Sequence, residues 1–168
     1  MLKTEELKLV SEWDKTFPQS EKVDHTKVTF INRYGITLAA DLYKPKNASG
    51  KYPAIAVSGP FGAVKEQCSG LYAQTMAERG YLTIAFDPSF TGESGGYPRF
   101  MASPDINTED FMAAVDFLSV QEDVDSDKIG IIGICGRLTH AYFHLIPLNP
   151  LEFGGIFYFI GNFSNRQK

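Results

Sequence analysis

The stretch Lys128-Ile129-Gly130-Ile131-Ile132-Gly133-Ile134-Cys135-Gly136 decides how this chain is read. After Lys128 it is apolar on both parities to Ile134, the pattern of a strand buried on both faces in a parallel sheet. The run ends on a cysteine with small neighbours, Gly133 two residues before it and Gly136 directly after. Two runs of the same kind precede it, residues 53–58 (PAIAVS) and 81–86 (YLTIAF). Helical spacing fills the gaps between them. Residues 69–79 carry Leu71, Met76 and Ala77 and stop at Gly80; residues 107–120 set Phe111, Ala114, Val115 and Leu118 on one face.

Further upstream, residues 27–43 read as two strands around a turn at Arg33-Tyr34-Gly35, with Val28, Phe30 and Ile31 before it and Ile36, Leu38, Ala40 and Leu42 alternating after it. Residues 44–51 and 87–104 are rich in Gly, Pro, Ser or Asn and read as loops. A hairpin followed by strand–helix–strand–helix–strand predicts an α/β fold. The expected architecture is a mainly parallel sheet with an N-terminal antiparallel hairpin, covered by helices on both faces as three α/β/α layers. Residues 155–160 (GIFYFI) could add a strand, for about five to six in all, and residues 138–146 a short helix. The 168 residues are expected to form one domain: an arm or short amphipathic helix over 1–20, a core over 21–137 and a divergent tail over 138–168.

Composition narrows the function. The chain is 43% hydrophobic and 21% charged with a formal net charge of −4, and it has no long Lys/Arg run. That argues against a nucleic-acid partner and against an anionic membrane surface. No run approaches the ~18 apolar residues of a spanning helix, and the charged start Lys3-Thr4-Glu5-Glu6 does not look like a secretion signal. A soluble cytoplasmic protein is expected. Two cysteines, Cys68 and Cys135, do not make a disulfide framework. No strand is followed by a Gly-x-Gly-x-x-Gly or a phosphate loop, so no nucleotide or other cofactor is expected.

In such sheets chemistry collects where the parallel strands end. Three loops start there, after Ser58, Phe86 and Ile134. A strand-to-helix turn at Gly133-Ile134-Cys135-Gly136 would be sharp enough to force the central residue into strained φ/ψ, and glycines supply the room. The thiol would point out of the sheet edge above a helix N-terminus, which favours the thiolate. The loop after residue 86 reads Asp87-Pro88-Ser89-Phe90-Thr91-Gly92-Glu93-Ser94-Gly95-Gly96.

These motifs, in this order and together with Gly59-Pro60-Phe61-Gly62 and Lys65-Glu66-Gln67, resemble the α/β-hydrolase superfamily over roughly residues 25–136. Within it they look most like the bacterial branch of dienelactone hydrolases and small serine or cysteine esterases and peptidases. The resemblance implies a hydrolase of ester or acyl bonds, with amide and lactone bonds also open, acting on a small molecule. It implies Cys135 as nucleophile, the N–H of Gly136 and that of Phe61 or Gly62 as oxyanion donors, and Asp87 as a residue bracing its loop. Glu93 and Ser94 lie in that loop and read as turn-stabilising side chains.

The chain also departs from the pattern. Arg137 stands where a further small residue is usual. In this superfamily the acid and then the histidine follow the nucleophile, yet after Cys135 the only carboxylate side chain is Glu152 and the only histidines are His140 and His144. Both would point away along the helix that starts at the turn, so no catalytic His or acid is assigned. Their i,i+4 spacing lacks the further ligands of a zinc site, so no metal is expected. His25 is expected at the surface and Cys68 as a packing thiol. The compositional switch after Gly136 reads as a hydrolase frame cut short or shifted, which predicts impaired activity. It also predicts an exposed sheet edge at Ile134 or at residues 155–160. A non-catalytic remnant, or an interaction module forming homo-oligomers through that edge, is the alternative reading.

Overall fold

The computed structural model describes residues 5–46, 50–135, 151–153 and 156–161, the last two groups by their backbone. Seven strands form one sheet in the order β1-β2-β4-β3-β5-β7-β6. They are β1 Val23–Ile31, β2 Thr37–Pro45, β3 Tyr52–Ser58, β4 Leu82–Phe86, β5 Val124–Ile134, β6 Leu151–Phe153 and β7 Ile156–Gly161; the helices are α1 Cys68–Ala77 and α2 Pro104–Ser119. Parallel pairing is confined to the centre, β4-β3-β5. The β1–β2 hairpin joins β4 antiparallel on one flank, and β7 joins β5 antiparallel on the other.

The central strands are the three apolar runs, and their register sets the site. Val57 lies opposite Ala85 on one side and Ile132 on the other, and Ser58 lies opposite Gly133. All three strands therefore end level, and the segments that follow them emerge side by side.

Alternation along each strand sorts side chains to two faces. Leu38, Ala40, Ala56, Ile84 and Ile131 meet Phe111, Ala114 and Leu118 of α2 in one cluster. Tyr43, Ile55, Val57, Ala85 and Ile132 meet Ala73 and Ala77 of α1 in the other. Each fully buried Leu, Ile or Phe here contributes on the order of 1.5–3 kcal/mol.

Several boundaries differ from expectation for identifiable reasons. β1 begins at Val23 and not near Val28, because Asp24, His25, Thr26 and Lys27 are drawn into the ladder by Lys44, Tyr43, Leu42 and Asp41. α2 begins at Pro104, a position where the missing proline N–H costs nothing. α1 ends at Ala77, two residues before the expected Arg79, and Gly80, with a φ of 98°, turns the chain back with its N–H bonded to the Ala77 carbonyl.

Residues 5–20 form an arm without helix. It is tied down at intervals. Val10 N–H donates to Glu93 at 2.6 Å, Thr16 N–H to the Glu66 carbonyl at 3.0 Å, and Gly96 N–H to Glu5 at 3.1 Å. The edge expected at Ile134 is covered: β7 runs along residues 129–134, and β6 pairs in turn with β7. The segment over residues 138–146, with His140 and His144, lies outside the described residues. No described helix is long and apolar enough to cross a membrane.

Candidate active site at the carboxyl edge

Cys135 closes β5 with a φ of 64°, in the left-handed region that a non-glycine residue enters only under strain. The strand ladder holds the backbone up to Ile134, so the turn must be made at the next residue. The thiol is exposed. Gly136 lies outside the described residues.

Beside it, the segment after β3 carries Phe61 and Gly62. Phe61 is exposed, and a side chain built at Gly62 would meet nothing within 4 Å. This loop and the one after β4 enclose a cleft of about 440 Å³, with Phe61, Gly62 and Val64 on one side and Phe100, Met101 and Ala102 on the other.

Asp87 does not line that cleft. It is fully buried, and its carboxylate collects the Lys65 N–H at 2.8 Å, the Lys65 ammonium at 2.9 Å and the Glu93 N–H at 3.0 Å. The Ser94 hydroxyl donates to the Asp87 carbonyl at 2.6 Å and accepts from the Ala39 N–H at 2.8 Å. Glu93 accepts from the ammonium groups of both Lys27 and Lys65 at 2.6 Å. Asp87, Glu93 and Ser94 thus join the two loops to each other and to β2.

The electrostatics follow from the burial. Burial works against the Lys65 ammonium, but Asp87, Glu66 and Glu93 outweigh it and push its pKa above the ordinary lysine value. Burial pushes the Asp87 carboxyl up, against the pull of Lys65. Glu93 is also raised by burial, yet its hydrogen bonds from Lys27 and Lys65 bring it below the usual glutamate value. Among the described residues, Asp14, Glu66 and Glu93 are close enough together to hold a cation. Lysine ammonium groups already sit there, Lys27 within 4 Å of all three carboxylates and Lys65 on Glu66 and Glu93.

Three features escaped the sequence reading. The first is the Lys65 hub itself: Lys65-Glu66-Gln67 reads as part of a loop motif, and nothing local marks Lys65 as a buried cation. The second is the fully buried Asp41. It pairs with Lys15 at 3.1 Å and with His25 at 2.8 Å. Burial raises its carboxyl, and the His25 bond together with Lys15 outweighs this, so it sits below the usual aspartate value. An aspartate inside an otherwise apolar strand was the available signal, since buried carboxylates need partners. The third is a polar knot in which Asp110 accepts from Asn32 at 2.8 Å and from the Ser89 N–H and hydroxyl at 2.8 and 2.7 Å. It fastens the loop after β4 to α2 and to the hairpin turn.

His25 is a correction: it is not a surface residue. It packs between Trp13 and Tyr43, at ring distances of 5.2 and 5.1 Å, because pairing of β1 with β2 brings it over Asp41. It also stands on β1, four strands from β5, or about 19 Å at the usual strand spacing. That excludes it as a base for Cys135. Cys68 opens α1 and is half-buried.

Residues 34–135 match the X-Pro dipeptidyl-peptidase (S15 family). The chain belongs to that family. A 132-residue part of this S15-family chain is 72% identical to the uncharacterized protein PA2218 of Pseudomonas aeruginosa, covering 78% of this chain and 36% of that protein. The crystal structure of PA2218 superposes with a TM-score of 0.80 at 70% identity, over 82% of this chain and 43% of that one. A thiohydrolase of Aspergillus aculeatus, aneE, is 34% identical over 115 residues, 68% of this chain and 35% of its own. The α/β hydrolase GrgF from Penicillium sp. sh18 superposes with a TM-score of 0.62 at 27% identity, over 67% of this chain and 38% of that one. The fold is that of the α/β hydrolases, as the strand-end motifs imply. The chain spans little more than a third of the length of the curated relatives it matches.

Proposed function

We propose that this chain carries the nucleophile half of an acyl-hydrolysing site, with Cys135 as the attacking group on a small ester or related acyl compound. The observation that carries the reading is the left-handed backbone of an exposed cysteine at the tip of a central parallel strand. Strain at such a place is a mark of function, because it does nothing for the core. The Cys135 sulfur, as thiolate, forms a bond to the acyl carbon. The carbonyl electrons move onto oxygen, where the N–H of Gly136 and that of Phe61 or Gly62 would receive them. Collapse expels the alkoxide, which takes a proton from water to leave as the alcohol, and leaves a thioester on Cys135. Water then releases the acid and the free thiol. The buried Asp87 and Ser94 and the half-buried Glu93 brace the loop beside the site. Likeness to a protein named a thiohydrolase supports hydrolytic chemistry.

Mass spectrometry after incubation with p-nitrophenyl acetate should find one acetyl group, on Cys135, and none in Cys135→Ala. An unmodified Cys135 would overturn the proposal. The alternative, an interaction module joined through an open edge at β5, has less support because β7 lies along that strand.

A further inference from the structure

We infer that the cleft beside the candidate oxyanion loop is an acyl-chain pocket, which makes the preferred substrate an ester of a medium-length, uncharged, apolar acid. The inference rests on the acyl reading of the site for its orientation, and on the cleft itself for its chemistry.

The cleft begins at Phe61 and Gly62, where the carbonyl would be held, and runs under Phe100, Met101 and Ala102. Its lining contains no carboxylate. Its one cation, Arg99, has donors on both terminal nitrogens committed to backbone: the guanidinium donates to the Ser94 carbonyl and, at 2.6 Å, to that of Gly92. Thr91 is the other polar residue of the lining; the rest is apolar side chains with the glycines Gly62 and Gly92. A volume of about 440 Å³ falls in the usual range for ligand pockets. At about 30 Å³ each, it has room for roughly fifteen non-hydrogen atoms.

Phe100 gives a second, independent observation. It is 87% exposed and has a φ of 59°, held there by its own N–H donating to the Phe90 carbonyl at 2.8 Å. A large aromatic residue kept both strained and wet adds nothing to folding. It has a use once an apolar group covers it.

Binding and chemistry can be tested apart. In Cys135→Ala, which cannot be acylated, octanamide should bind at least tenfold more tightly than butanamide by NMR titration, with shifts at Val64, Phe100 and Met101. Four methylenes at about fourfold each set the upper limit of that gain. Met101→Asp should lose at least tenfold in octanamide affinity at unchanged circular dichroism and melting temperature. Equal binding of the two amides, or no effect of Met101→Asp in a folded protein, would overturn the pocket. In the wild-type chain, p-nitrophenyl octanoate should acylate Cys135 faster than the acetate does. If octanamide binds as expected but neither ester modifies Cys135, the pocket stands and the nucleophile assignment falls.

Discussion

Two segments that leave the same edge of the sheet are held in opposite ways. The loop after β4 is over-determined. Asp87 takes three hydrogen bonds, Asp110 fastens Ser89, and Glu93 is gripped by Lys27 and Lys65. The tip of β5 has no comparable bracing among the described residues, and Cys135 is left exposed in a strained backbone state. One segment is shaped by stabilising interactions, and the other is shaped against its own preference. The loop supplies a rigid wall, and the tip presents a group whose value lies in where it points.

This contrast can be broken from the loop side first. Lys65→Ala strips a fully buried carboxylate of its cation and should cost about 4 kcal/mol of unfolding free energy in urea denaturation. Lys65→Met combined with Asp87→Asn, which removes both charges, should recover part of that loss. If the single change is as mild as a surface substitution, the loop is not held as described. Gly92→Ala is next. Its φ is 54°, and a Cβ would stand 2.2 Å from an Asp87 carboxylate oxygen that cannot yield. A loss of about 2 kcal/mol is expected in the same measurement. The smallest effect has the opposite sign. Cys135→Gly should stabilise the chain by roughly 0.5–1 kcal/mol, because glycine adopts this φ without strain and the exposed thiol packs against little. A destabilised Cys135→Gly would mean that the tip is braced like the loop.

Legibility in the sequence divides along a similar line. The central strands, the two helices, the hairpin and the placing of Cys135 at a strand end could all be read, because apolar period and Gly–Pro punctuation are local signals. So could the place of Asp87, Glu93 and Ser94 in the loop after β4. The true start of β1 could not, since Asp24 to Lys27 join the ladder only because β2 lies opposite. His25 was misplaced for the same reason: nothing within a few residues of it foretells Asp41, Trp13 or Tyr43.

By itself, then, the sequence determined which segments are strands and helices, that the parallel ones end in three loops, and which of those ends bears a cysteine. Local propensity and hydrophobic burial suffice for that. Only the tertiary structure decided that these ends lie level, that Lys65 is the cation between the loops, that Glu5 and Val10 of the arm reach Gly96 and Glu93, and that a cleft opens beside Phe61. These contacts join residues up to 91 positions apart. They exist because sheet order brings distant segments together, and a buried charge or an open cleft takes its meaning from neighbours that the local chain does not name.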